Sequence, residues 1–97
     1  MSDQETKVPT ILVVDDIEDN LDLLEFALRR KPIKMLRATS GYECIEIARS
    51  QSPDVILLDI QMPGMDGFET LKKLRQDTLT AKIPVIFLTA QKKIGRA

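Results

Sequence analysis

Four consecutive apolar residues, Val55, Ile56, Leu57 and Leu58, run directly into Asp59. A run this short and this uniformly apolar reads as a strand covered on both faces, as in parallel α/β sheets. Turn-forming residues follow at Pro63, Gly64, Asp66 and Gly67, and a helical pattern starts just after them. In a parallel α/β sheet, ligands and reacting groups collect beyond the carboxyl ends of the strands. Asp59 stands where such a sheet places its chemistry.

The same strand-to-acid junction occurs once earlier. Thr10 to Val14 is a second apolar run, and it ends in Asp15 and Asp16. The acids and the asparagine that follow, Glu18, Asp19 and Asn20, suit a helix start. Ile17, Leu21, Leu24 and Leu28 recur at helical spacing, with Leu23 and Ala27 widening the stripe. Three cations, Arg29, Arg30 and Lys31, suit the end of that helix, and Pro32 blocks its continuation. Ile33 to Ala38 is of mixed character and reads as an edge strand. Ser40 and Glu43 have capping-box spacing, and Gly41, Cys44, Ile45 and Ala48 mark one face of a second helix. Asp66 and Glu69 repeat the cap pattern, with Phe68, Leu71 and Leu74 facing inward on a third helix. Lys82 to Leu88 reads as a fourth strand, with Pro84 near its start. The alternation β-α-β-α-β-α-β, with short connections, predicts a doubly wound parallel α/β sheet.

The chain has 97 residues, enough for one domain. Residues 1–8 read as a loose polar tail and residues 9–97 as the folded unit. The net charge is -1, and there are three Phe, one Tyr and no Trp. Neither a basic field nor stacking aromatics favours nucleic acid as a partner. A single cysteine, Cys44, and the lack of an apolar signal run point to a cytoplasmic protein. No apolar stretch approaches the roughly 20 residues of a membrane span.

If the first and third strands are neighbours, Asp15, Asp16 and Asp59 meet at one sheet edge. Two like charges about 4 Å apart repel by about 4 kcal/mol at an effective dielectric of 20. A cation relieves that repulsion. Oxygen-only ligands suit Mg²⁺, which keeps several waters and takes one or two carboxylates plus a phosphate. With no His and one distant Cys, zinc is disfavoured. Thr89, at the end of the fourth strand, brings a hydroxyl to the same edge. A carboxylate there can act as nucleophile and form an aspartyl-phosphate. Taken singly, each of these residues is an ordinary turn or cap; their joint placement at three strand ends is what points to phosphoryl chemistry.

Two other chemistries are disfavoured. A dinucleotide-binding or P-loop protein needs a glycine-rich turn after its first strand. The acids from Asp15 to Asp19 would repel a pyrophosphate. An aspartate-nucleophile phosphatase of the dehalogenase type carries a second acid two residues beyond its nucleophile, where this chain has Gln61.

Three stretches resemble the receiver domain of response regulators in two-component signalling: ILVVDD (11–16), VILLDIQMPGMDGFE (55–69) and PVIFLTA (84–90). The resemblance spans about residues 9 to 91, and the middle stretch is highly specific. It implies a flavodoxin-like fold with strand order 2-1-3-4 for the strands present. It implies a regulator and not an enzyme, at most phosphorylating and dephosphorylating itself. The phosphoryl group would come from a histidine kinase or phosphotransfer protein and go to Asp59, with Mg²⁺ as cofactor. Asp15 and Asp16 match the acidic pair that holds the ion, and Gln61 matches the position whose backbone carbonyl completes the metal site. Thr89 matches the switch hydroxyl, and Ala90 the small residue whose N–H contacts the phosphoryl group. Gln61 and Gln91 match the variable positions that tune phosphoryl lifetime.

The family continues into a fourth helix, a fifth strand ending in Lys-Pro and a fifth helix, so these 97 residues read as a truncated receiver. The family's strand-end lysine and switch aromatic have no counterpart, and Lys92 and Lys93 lie in the wrong element to replace the lysine. An uncovered fourth strand invites pairing with a second copy, as a homodimer or a segment swap. The competing expectation is therefore a non-switching receiver that acts only as an interaction or dimerisation module. A Mg²⁺-dependent phosphatase acting on outside substrates is a third, disfavoured expectation.

Overall fold

The computed structural model describes residues 8–88. They form β1 (Thr10–Val14), α1 (Glu18–Leu28), β2 (Lys34–Ala38), α2 (Gly41–Gln51), β3 (Val55–Asp59), α3 (Gly67–Gln76) and β4 (Val85–Leu88). The four strands are parallel and ordered β2-β1-β3-β4. This is the doubly wound sheet that the alternation predicts, and the mixed-character β2 is an edge strand. At its lower end the register is locked by Asp54. The Asp54 side chain accepts the Thr10 N–H at 2.7 Å, while its own N–H reaches the Thr10 carbonyl at 2.8 Å.

Successive residues of a strand point to opposite faces, and this divides the interior in two. Leu12, Val14, Ala38, Ile56 and Leu58 form the main core with Cys44 and Ala48 of α2, Leu74 of α3 and Met62. Fully burying an aliphatic side chain of this size contributes about 1.5–3 kcal/mol, so this face carries most of the apolar stabilisation. The opposite face is thinner. Val13 and Leu21 are buried outside that cluster. Arg37, paired in register with Val13, reaches α1 through Asp22 at 2.9 Å and Glu25 at 2.6 Å. The Glu25 and Asp22 hydrogen bonds raise the Arg37 pKa, so the clamp is fully charged.

The helix ends follow from local chemistry. Ser40 caps α2 by accepting the Glu43 N–H at 3.1 Å, and Asp66 caps α3 by accepting the Glu69 N–H at 2.9 Å. The return bond of the Ser40 box is displaced by one residue. Glu43 accepts from the N–H and hydroxyl of Thr39, not from the N–H of the cap residue itself. α2 ends at Ser52, which adopts a left-handed conformation with φ 47.

Several packing expectations need correction. Leu23 is 69% exposed and Ala27 is also exposed, so neither widens the buried stripe of α1. Leu21 is the buried residue of α1 on this thinner side of the sheet. Ile17 is not helical; it is the cap position and is exposed. Phe68 does not face inward. It is 58% exposed and stacks at a tilt on Phe87, ring centroids 5.1 Å apart, while Gly67, Thr70 and Leu74 take the buried positions. β3 is covered completely on one face by the main core, whereas Val55 and Leu57 on the other are half-buried. The fourth strand begins at Val85, not Lys82. Arg75 donates to the carbonyls of Ala81 and Ile83, and Thr80 to that of Leu74, which fixes the preceding segment as turns. Arg29 is the C-cap of α1, so the three cations follow the last turn instead of lying within it. No helix among the described residues is long and apolar enough to cross a membrane.

Candidate functional site

Because β1 and β3 are hydrogen-bonded neighbours, with Val14 opposite Leu58, the residues that follow each strand emerge side by side. One carboxylate oxygen from each of Asp15, Asp16 and Asp59 falls within a group whose members are all within 4.8 Å of one another. Asp15 and Asp59 are 4% and 1% exposed, and Asp16 reaches solvent. The cluster is thus a pair of buried acids opened to water on one side by a third. Two charges at that outer separation repel by about 3.5 kcal/mol at an effective dielectric of 20. A hard cation bound by oxygens answers that repulsion.

The acids are held in place by the backbone that follows them. The Asp15 N–H completes the β1–β2 ladder on the Ala38 carbonyl at 3.1 Å. Its side-chain Oδ1 accepts the Ile17 N–H at 3.0 Å, and Oδ2 accepts the Asn20 side-chain amide at 3.1 Å. Asp59 shows the same turn: its Oδ1 accepts the Gln61 N–H at 3.2 Å. The loop beyond Asp59 is pinned by buried Met62 and Met65 and by the Gly67 N–H on the Ile60 carbonyl at 2.8 Å. Gly64, with φ +79, makes the turn between them. A Cβ at Gly67 would lie 2.7 Å from the Asp59 carbonyl oxygen and 2.8 Å from Ile60 Cα. Only glycine lets α3 begin this close to the strand end.

This loop and the start of α3 border an open surface depression of about 580 Å³ lined by Ile60, Gln61, Met62, Pro63, Asp66 and Phe68. Gln61 is exposed at the surface of the loop. Cys44 takes no part: it is fully buried in the main core, and burial pushes its thiol up to about 12. A thiol this hard to ionise is neither nucleophile nor ligand.

The structure therefore brings together Asp15, Asp16 and Asp59, with Gln61 two residues beyond. Thr89, Ala90, Gln91, Lys92 and Lys93 lie outside the described residues. Sequence reasoning missed two contributors. Asn20 reads as one more polar residue of a helix start, yet it binds Asp15 from five positions away. Gly67 reads as a turn glycine, yet it is a close-approach position. The signal for Asn20 is its place one helical turn beyond a strand-end acid, where an amide on α1 faces back toward the sheet edge.

The family model described as "Response regulator receiver domain" matches residues 11–97. The response regulator PleD of Caulobacter vibrioides is 48% identical over 80 residues, covering 82% of this chain; the chain spans only 18% of PleD. Among solved structures, the N-terminal domain of a response regulator receiver protein from Methanoculleus marisnigri JR1 superposes with a TM-score of 0.83. It is 44% identical, over 88% of this chain and 69% of that one. The receiver domain of the sensor histidine kinase PA1611 from Pseudomonas aeruginosa PAO1 superposes with a TM-score of 0.80 at 28% identity. That match covers 88% of this chain and 70% of that one, and that protein holds a magnesium ion in its active-site cleft. A four-stranded sheet in this order, an acidic triplet at the ends of its two central strands and a match running from β1 onward agree: the chain belongs to the response regulator receiver domain family.

Proposed function

We propose that Asp59 is the phosphoacceptor of a two-component phosphorelay, loaded by a histidine kinase or phosphotransfer protein. The observation that carries this reading is the buried Asp59 carboxylate at the end of β3 with Asp15 and Asp16 within 4.8 Å. In the transfer, a carboxylate oxygen of Asp59 forms a bond to phosphorus as the bond from phosphorus to the imidazole nitrogen of the donor breaks. The electron pair of that bond leaves with the imidazole, which takes up a proton.

The donor set fits Mg²⁺. It consists of oxygens only, it carries several negative charges, and Asp15 is already oriented by two hydrogen bonds. Asp15, Asp16, Asp59 and the Gln61 backbone carbonyl would hold the ion. When bound, it supplies charge neutralisation for the phosphoryl oxygens. Thr89 and Ala90 are assigned to the phosphoryl oxygens, and Gln61 and Gln91 to phosphoryl lifetime, from the family resemblance. The same reading makes the protein a cytoplasmic regulator whose folded unit starts at about residue 9.

The test uses a small phosphoryl donor such as acetyl phosphate. With Mg²⁺, the wild-type chain acquires one hydroxylamine-labile phosphate and Asp59→Asn acquires none. Equal labelling of the two, or sustained turnover of outside substrates, overturns the reading. A second reading, an interaction module that pairs with another copy, is favoured by one observation. Among the described residues β4 has a strand partner on one side only, and Ile86 on it is 55% exposed.

A further inference from the structure

Asp15 carries a donor on each of its carboxylate oxygens. The Ile17 N–H takes Oδ1, and the Asn20 amide takes Oδ2. The first of these is a local turn that any strand-end aspartate makes; Asp59 makes it with Gln61. The second comes from a separate element. Asn20 lies in the first turn of α1, beside the fully buried Leu21. Farther along the helix, Asp22 and Glu25 are clamped to β2 through Arg37. The amide is therefore delivered by a helix whose own position is fixed by packing and charge.

With both oxygens engaged, the Asp15 carboxylate cannot turn about its Cβ–Cγ bond without losing a hydrogen bond. The carboxylate is thereby held in one orientation. Rigid, singly contacting carboxylates suit Mg²⁺, which demands near-ideal octahedral geometry at about 2.0–2.1 Å. Ca²⁺ takes six to eight oxygens at about 2.3–2.6 Å and gains from carboxylates free to rotate and chelate. We infer that Asn20 is a positioning residue that holds Asp15 in a single-contact orientation and so sets the preference of the site for Mg²⁺ over Ca²⁺. This rests on the assignment of the three acids as a cation site.

Calorimetric titration of the full chain with MgCl₂ and with CaCl₂ tests it. Asn20→Leu removes the donor at similar size and keeps a good helix former. Loss of an outer hydrogen bond to a metal ligand weakens binding by about 10–100-fold, so Mg²⁺ affinity falls at least about tenfold. Ca²⁺ affinity falls much less, because a freed carboxylate can chelate the larger ion. Asn20→Asp has the same shape as asparagine but cannot donate. Its added charge raises attraction for both ions, yet the ratio of Mg²⁺ to Ca²⁺ affinity still drops. Equal shifts for both ions in Asn20→Leu are what a merely structural role gives, and they overturn the inference, as does an unchanged ratio in Asn20→Asp. If wild type binds no Mg²⁺, or Asp59→Asn binds it as tightly, the cation-site assignment itself fails, and this inference with it.

Discussion

Gly67 stands so close to Asp59 that a Cβ on it would lie 2.7 Å from the Asp59 carbonyl oxygen. The obstructing atoms on both sides are backbone, from Asp59 and Ile60, so no side chain can swing aside. Gly67→Ala must push α3 away from the strand end or displace the loop. Overpacking of this kind costs about 1–3 kcal/mol. The expected outcome is a lower urea midpoint and slower labelling of Asp59 by acetyl phosphate. An alanine variant with unchanged stability and labelling contradicts the close-approach account.

α1 presents a second stripe to solvent. Leu23 and Phe26 are 69% and 66% exposed, and with Ala27 and Arg30 they repeat at helical spacing. The Arg29 guanidinium lies 4.5 Å over the Phe26 ring. On the proposed phosphoacceptor reading, this stripe, on the helix that follows Asp15 and Asp16, is a candidate docking face for the protein donor. Leu23→Asp combined with Phe26→Ser should reduce transfer from a phosphorylated protein donor by about tenfold or more, the scale of one buried anchor. Labelling by acetyl phosphate should stay as in wild type, because both side chains are exposed on α1 and the hydrogen bonds that orient Asp15 come from Ile17 and Asn20. Parallel loss with both donors would mean that the pair supports the fold instead.

The strand-end acids were legible because parallel sheets confine chemistry to one edge, and the apolar runs into Asp15 and Asp59 marked that edge. The caps at Ser40 and Asp66 were legible for a similar reason, since their bonds are local. What could not be read was which neighbour each side chain meets. Periodicity assigns Phe68 to the inner face, but whether that face is covered depends on the elements around α3, and Phe68 instead meets Phe87 near the surface. Leu23 and Ala27 fail in the same way. Asn20 was hidden because its partner, Asp15, lies outside the helix, and no propensity encodes a bond between a helix amide and a strand-end acid.

The β4 edge gives a prediction about association. Val85 to Leu88 is apolar throughout, and Ile86 is 55% exposed. Charged residues on edge strands block pairing with other chains. Ile86→Lys should therefore shift the chain toward monomer in sedimentation at concentrations where wild type forms dimers. A wild-type chain that is monomeric throughout removes the dimerisation reading.

Cys44 predicts a pH dependence. Burial raises its thiol from 9.0 to about 12. Below about pH 9 folded and unfolded chains both hold the proton, and this contribution to stability is complete. Between about 9 and 12 the unfolded chain loses the proton while the folded chain keeps it. Stability then falls by roughly 1.4 kcal/mol per pH unit from this group. Comparing wild type with Cys44→Ala isolates that slope from other alkaline titrations, and the alanine variant should lack it. Consistently, a thiol reagent at pH 8 should modify the folded chain slowly and the urea-unfolded chain at once. Rapid modification of the folded chain would mean that Cys44 is accessible.

The acidic triplet predicts a reversal of rank between two proteins. Without divalent cations, Asp15, Asp16 and Asp59 repel one another inside 4.8 Å. Asp59→Asn removes one of the three charges while keeping the side chain's shape. It should exceed wild type in stability by on the order of 1–2 kcal/mol, below the roughly 4 kcal/mol ceiling for a bare pair at 4 Å. Saturating Mg²⁺ acts oppositely on the two. At about 100 times its dissociation constant, a ligand bound only by the folded state adds about 2.7 kcal/mol. Wild type gains that amount, whereas Asp59→Asn, having lost a ligand, gains much less. Urea denaturation in EDTA and in excess Mg²⁺ should thus give opposite orders of stability. If wild type is the more stable in EDTA as well, the triplet is not strained without an ion. If Mg²⁺ stabilises Asp59→Asn as much as wild type, the cation is held without Asp59; if it stabilises neither, the triplet binds no ion.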